Sequence, residues 1–116
     1  MSAETTYSLF QKGRAHLKKG MAAQATVSLE KAKRRDPEKA SIREALGIAY
    51  FRITDWAAAE REFRKVLELS PVDDYAHYAL GRSLLHQGRQ EEASRHLKLA
   101  RCLKPRAPED PAPDGI

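Results

Sequence analysis

The side chains of this sequence that could act as nucleophiles or metal ligands are few and badly spaced for either role. His16, His77, His86 and His96 never recur at i, i+3 or i+4, the spacing that sets two imidazoles on one helical face for a metal. Cys102 has Arg101 and Lys104 nearby, which favours a thiolate, but a lone cysteine near a helix end ordinarily packs. No phosphate-cradling G-x-x-x-x-G-K-[ST] or G-x-G-x-x-G run is present. These residues predict no catalytic constellation, no metal and no cofactor, and so no enzyme. The types that do gather at helical spacing are those of protein recognition. Tyr7, Phe10 and Arg14 step by three and then four, and Tyr75, Tyr78 and Arg82 do the same. Aromatic rings supply contact area, and arginine grips carboxylates with two parallel hydrogen bonds.

A repeat positions these residues. Gly13, Gly47 and Gly81 lie 34 residues apart, and so do Pro37, Pro71 and Pro105. A fixed period of roughly 20–50 residues marks stacked helical or strand units rather than one globular core. The units are 6–39, 40–73 and 74–105, with an extension at 1–5 and a tail at 106–116. Each predicts two antiparallel helices, the first at roughly 7–19, 37–53 and 71–87, the second at roughly 22–35, 56–69 and 90–103. Asp36-Pro37-Glu38 reads as an N-cap with a first-turn proline, Ser70-Pro71 repeats the device, and Asp55 reads as an N-cap. Gly20 and Gly88 stand at the corners between paired helices, where the middle unit has Thr54. Gly13, Gly47 and Gly81 face the small row Ala25, Ala59 and Ala93, so that paired helices approach closely, and Leu29, Phe63 and Leu97 follow on the same stripe. His16 shares an inward position with Tyr50 and Leu84 and reads as a packed ring, and Trp56 as core.

This pattern resembles the tetratricopeptide repeat family. The middle unit carries the resemblance best, with Leu46-Gly47, Tyr50, Trp56, Ala59, Phe63 and Pro71. The first departs most, with Lys12, His16 and Ala22 at positions where the family prefers Leu and aromatics. The resemblance implies an all-α, right-handed superhelical solenoid of six helices whose first helices line a concave, peptide-binding groove. Carried over position by position, the groove would hold Tyr7, Phe10, Arg14, Leu17 and Lys18, then Ser41, Glu44, Ile48, Phe51 and Arg52, then Tyr75, Tyr78, Arg82, Leu85 and His86. Leu17, Phe51 and Leu85 form an apolar row that could equally pack between repeats, beside a basic row of Lys18, Arg52 and His86. Glu44 is the one acid among these positions, so the expected partner is a protein or peptide segment mixing apolar anchors with Asp and Glu. Family members that grip chaperone C-termini use a Lys/Asn/Arg clamp. Phe10, Arg14, Ala45, Tyr75 and Ala79 stand there instead, which predicts no binding to such tails.

The chain has 116 residues and a net charge of +5, with nine Lys/Arg against four Asp/Glu through residue 40. A pI near 9.5 and the cluster Lys31, Lys33, Arg34 and Arg35 keep a nucleic-acid-binding module as an alternative, although cations at a helix C-terminus explain the cluster as well. A chaperone holding apolar segments of a partner is a further alternative. The start lacks the basic and apolar regions of a signal peptide, no apolar run reaches the ~18 residues of a membrane span, and one cysteine permits no internal disulfide. These features predict a cytoplasmic protein. Leu99, Cys102 and Leu103 make an apolar strip outside the core stripe of the last helix, a candidate surface for a homo-oligomer. Four of the six prolines fall between 105 and 113, which predicts an extended tail, opposite in charge to the groove and long enough to reach it.

Overall fold

The computed structural model describes residues 4–104, and the residues 105–116 that carry the proline-rich tail lie outside the described residues. The chain forms α1 (Thr6–Lys18), α2 (Ala22–Arg35), α3 (Ala40–Arg52), α4 (Trp56–Leu69), α5 (Asp74–His86) and α6 (Gln90–Leu103). Each helix packs on the next, giving three helix pairs stacked into a solenoid, with no strand among the described residues. No helix among them is long and apolar enough to cross a membrane.

Inside a pair, spacing is set by what faces the glycine. A Cβ placed on Gly13 would lie 2.5 Å from Leu29 Cγ, one on Gly47 2.7 Å from Phe63 Cζ, and one on Gly81 2.8 Å from Leu97 Cδ2. The two helices therefore touch backbone to side chain. Ala25, Ala59 and Ala93 are fully buried beside these contacts, as are Leu29 and Phe63.

The corner between paired helices is the same motif three times. Met21, Asp55 and Arg89 donate their backbone N–H to the carbonyls of His16, Tyr50 and Leu84, and Gly20, Thr54 and Gly88 donate to Leu17, Phe51 and Leu85. These paired bonds are a Schellman closure, which needs a left-handed residue just past the helix end. Gly20 and Gly88 supply it at φ +76° and +79°, whereas Thr54 is forced to φ +64°. A β-branched residue there is strained by about 1–2 kcal/mol.

Two helix starts differ from the sequence expectation. α3 and α5 begin at Ala40 and Asp74, three residues after the expected 37 and 71. Pro37 and Pro71 belong instead to turns, closed by Lys39 N–H to Asp36 O and by Asp73 N–H to Ser70 O. Proline at the second position of such a turn is as favourable as at a helix start. Asp36 and Ser70 thus end α2 and α4, while Asp73 caps α5 by accepting from Ala76 N–H at 3.0 Å. Asp55 caps α4 as expected, accepting from Ala58 N–H at 3.2 Å.

Between pairs runs a polar seam. Glu62 on α4, 4% exposed, accepts from Lys33 of α2 at 3.0 Å and from Arg43 of α3 at 3.1 Å. Tyr50 of α3 donates its hydroxyl to Glu30 of α2 at 2.5 Å, and burial together with that carboxylate pushes the phenol above its ordinary range. Farther on, Arg64 of α4 bridges Glu60 and Glu92.

Two substitutions test this geometry by urea unfolding. Gly47→Ala should cost a net 1–2 kcal/mol, roughly, because the Phe63 ring must yield by more than the helix gains from alanine. Thr54→Gly should instead raise stability by about 1 kcal/mol through release of the left-handed strain. A neutral Gly47→Ala would show that the pair spacing is loose.

Candidate functional site

The inner helices α1 and α3 touch each other directly and open between them a cleft of about 410 Å³. Phe10, Arg14, Leu17 and Lys18 line it from α1, and Ser41, Glu44, Ala45, Ile48 and Arg52 from α3. All but Ala45 are groove positions expected from the sequence. Ala45 is one helical turn from Ser41 and is buried beneath the cleft floor, where a small residue carries no recognition signal of its own.

The cleft is apolar below and cationic at its sides. Arg14 sits over the Phe10 ring, 5.5 Å from its centroid, so the ring orients the guanidinium. Arg52 donates to the Leu17 carbonyl at 2.9 Å, which holds its charge against the end of α1 where free carbonyls gather. Glu44 is half-buried, and burial, with the Asp73 carboxylate next in effect, holds its carboxyl above the ordinary range. Three cations thus share the cleft with one carboxyl that burial inclines toward neutrality.

The other expected positions are distributed differently. Tyr7 is 69% exposed, accepts from the Gln11 amide and does not line the cleft. Tyr75, its counterpart two repeats on, is half-buried edge-on to Phe63. The cause is position in the stack: α5 has α4 before it, whereas no described helix precedes α1. Tyr78, Arg82 and Leu85 are also half-buried on α5, away from this cleft.

Phe51 is a correction. It is 3% exposed and belongs to the core, meeting Trp56 edge-on at 4.9 Å and His86 at 5.5 Å. Leu17 and Leu85 pack against neighbouring core clusters too, so the apolar row serves repeat packing, Leu17 alone also reaching the cleft. His86 is exposed but lies flat on Trp56 at 3.9 Å.

The basic cluster on α2 is partly engaged within the fold. Lys33 pairs with Glu30 and Glu62, and Arg35 donates to the Glu4 carbonyl. On α6, Leu99 and Leu103 are 45% and 41% exposed and Cys102 is exposed. Sequence spacing gave no sign that His77 and His96 meet. Their Nδ1 atoms stand 3.1 Å apart across α5 and α6, a pairing visible only once 77 and 96 are aligned with 43 and 62. Among the described residues no cluster of three or more metal-ligating side chains forms.

Comparison with known proteins places this architecture. Family models described as tetratricopeptide repeat match residues 6–39 and 45–111. Superkiller complex protein 3 of Mus musculus is 32% identical over 94 residues, covering 81% of this chain but only 6% of that protein. The crystal structure of MamA superposes with a TM-score of 0.84 at 26% identity, over 87% of this chain and 59% of MamA. The first tetratricopeptide repeat region of Spaghetti (RPAP3), solved with the HSP90 peptide SRMEEVD, gives a TM-score of 0.84 at 22% identity, over 92% of this chain and 85% of that one. With one of these models spanning more than half of its length and three stacked helix pairs as its scaffold, the chain belongs to the tetratricopeptide repeat family.

Proposed function

We propose that this chain is a non-enzymatic protein–protein interaction module whose α1–α3 cleft binds an acidic–apolar segment of a partner protein. The observation that carries this reading is the composition of the cleft. Phe10, Leu17 and Ile48 offer apolar contact, while Arg14, Lys18 and Arg52 outnumber the single acid Glu44. A ligand carboxylate reaching Arg14 would find its guanidinium already oriented by Phe10, which lowers the entropy cost of capture.

Peptide binding by the Spaghetti region concerns that protein, and at its level of identity only the fold is shared. Its ligand ends in Glu-Glu-Val-Asp, a tail of the kind that a Lys/Asn/Arg clamp grips. Here Phe10, Ala45, Tyr75 and Ala79 leave Arg14 as the lone cation of that set, which favours an internal segment over a free C-terminus. Nucleic acid is the weaker reading because Lys33 and Arg35 of the basic cluster are already engaged within the fold.

Selection from a displayed peptide library tests the proposal. Enriched peptides should pair Asp or Glu with aromatic or aliphatic anchors. Arg14→Glu should weaken them by about tenfold or more, near 1.4 kcal/mol, and Glu44→Gln should tighten them. Enrichment without acidic residues, or affinity untouched by Arg14→Glu, would overturn it. The peptide SRMEEVD serves as the control that should fail to bind.

A further inference from the structure

The third repeat carries an imidazole pair where the second carries an ion pair. Arg43 donates from Nε to the Pro37 carbonyl at 2.9 Å and from Nη1 to Glu62 at 3.1 Å. Thirty-four residues on, His77 Nε2 lies 3.0 Å from the Pro71 carbonyl and His77 Nδ1 3.1 Å from His96 Nδ1. Both pairs join residues 19 apart, and both tie a first helix, a second helix and the preceding proline turn together. Lys33, the second cation on Glu62, is replaced by Leu67 at the equivalent site. The contact has kept its place and changed its chemistry.

That change fixes the protons. A carbonyl can only accept, so His77 Nε2 carries hydrogen, and the neutral ring then presents a bare Nδ1 to His96. His96 must supply the Nδ1 hydrogen between them. Ring centroids 5.3 Å apart with the nitrogens 3.1 Å apart place these nitrogens head-on, the geometry of a shared hydrogen rather than of two lone pairs converging on a metal. His77 is 8% exposed. A first proton can enter the closed pair at His96 Nε2 only against burial and the nearby Arg64 and Arg95, so it enters more readily once α6 has opened, and acid therefore favours the open form. A second must go to His77 Nδ1, where two N–H groups would face each other and the contact would break.

We propose that the His77–His96 contact is a proton-operated latch that holds α6 to α5 in neutral solution and releases it in mildly acidic solution. α6 is the element placed to respond. It packs chiefly on α5, and no described helix follows to cover its other side. The charges around the pair come from each neighbouring element: Arg64 and Glu68 on α4, and Glu92 and Arg95 on α6. Burial, then His77, Arg64 and Arg95, hold the His96 imidazole below its ordinary range, with Glu92 opposing. The sign follows. Unfolded His96 takes its proton near pH 6.5, above the folded one, so stability is full above about pH 6.5 and is lost as pH falls below it. The Arg43–Glu62 contact of the second repeat contains no imidazole.

The test compares wild type with His77→Arg/His96→Glu, which installs the second repeat's ion pair in the third. Amide exchange, corrected for intrinsic rates, is measured at pH 7.5 and 5.5. In wild type, α6 opening should increase more than α2 opening between the two values, by up to about tenfold, the ceiling for one imidazole, and the double variant should lose that excess. Equal acceleration of α6 in both proteins would overturn the latch. Should the double variant fold poorly, imidazole NMR of wild type decides. His96 should titrate below the ordinary imidazole value of about 6.5, and His77 should keep its Nε2 hydrogen throughout the first step. Titration of His96 at or above about 6.5 would overturn the proposal equally.

Discussion

The close approach of a glycine to a large apolar side chain is the constraint on which this structure depends. Gly13 against Leu29, Gly47 against Phe63 and Gly81 against Leu97 leave no room for a Cβ, so each pair is locked at one separation. Because the same separation recurs every 34 residues, the pairs stack in register and α1 and α3 lie side by side. The cleft between α1 and α3 is a product of that register. Its lining is free to vary, since the residues that fix the spacing lie toward the second helices.

A repeated frame makes single positions comparable, and the comparison shows where chemistry has diverged. The site that is Ser28 in the first repeat is Glu62 in the second and His96 in the third. Its surroundings changed with it, from a near-apolar position to a doubly paired carboxylate and then to an imidazole pair. Breaking a buried, doubly paired carboxylate such as Glu62 leaves uncompensated charge, typically a loss of about 3–5 kcal/mol. An imidazole pair can shed its charge instead. Stability in a solenoid is roughly a sum of neighbour terms, so such a substitution acts where it sits.

Much of this was legible because period and packing are the same fact. Glycines, alanines and leucines at constant spacing gave six helices and their inner stripes. Less legible were features in which two local rules compete. Pro37 and Pro71 suit a helix start and the second position of a turn equally well, and only the backbone bonds to Asp36 and Ser70 decide. Phe51 occupies a groove position in the repeat, yet Trp56 and His86 draw it into the core. Tyr7 and Tyr75 share a position but not a fate, because a helix precedes α5 in the stack and no described helix precedes α1. The histidine pair could not be read from i, i+4 spacing, since its partners lie on different helices. Overlaying the repeats would have exposed it.

The two ends of the chain are therefore suited to different tasks. The α1–α3 cleft draws its cations from helices buttressed by α2 and α4, through Glu62 and the Tyr50–Glu30 bond, neither of which involves an imidazole. The imidazole contact lies at the other end, between α5 and α6. Between them lie the α4–α5 interface, where Tyr75 meets Phe63, and Asp73, whose carboxylate both caps α5 and acts on Glu44. Through Asp73 the start of the last helix pair acts electrostatically on the cleft. A shift of α5 that moved Asp73 away would let Glu44 ionise more readily and add negative charge to a cleft whose other charged groups are cations.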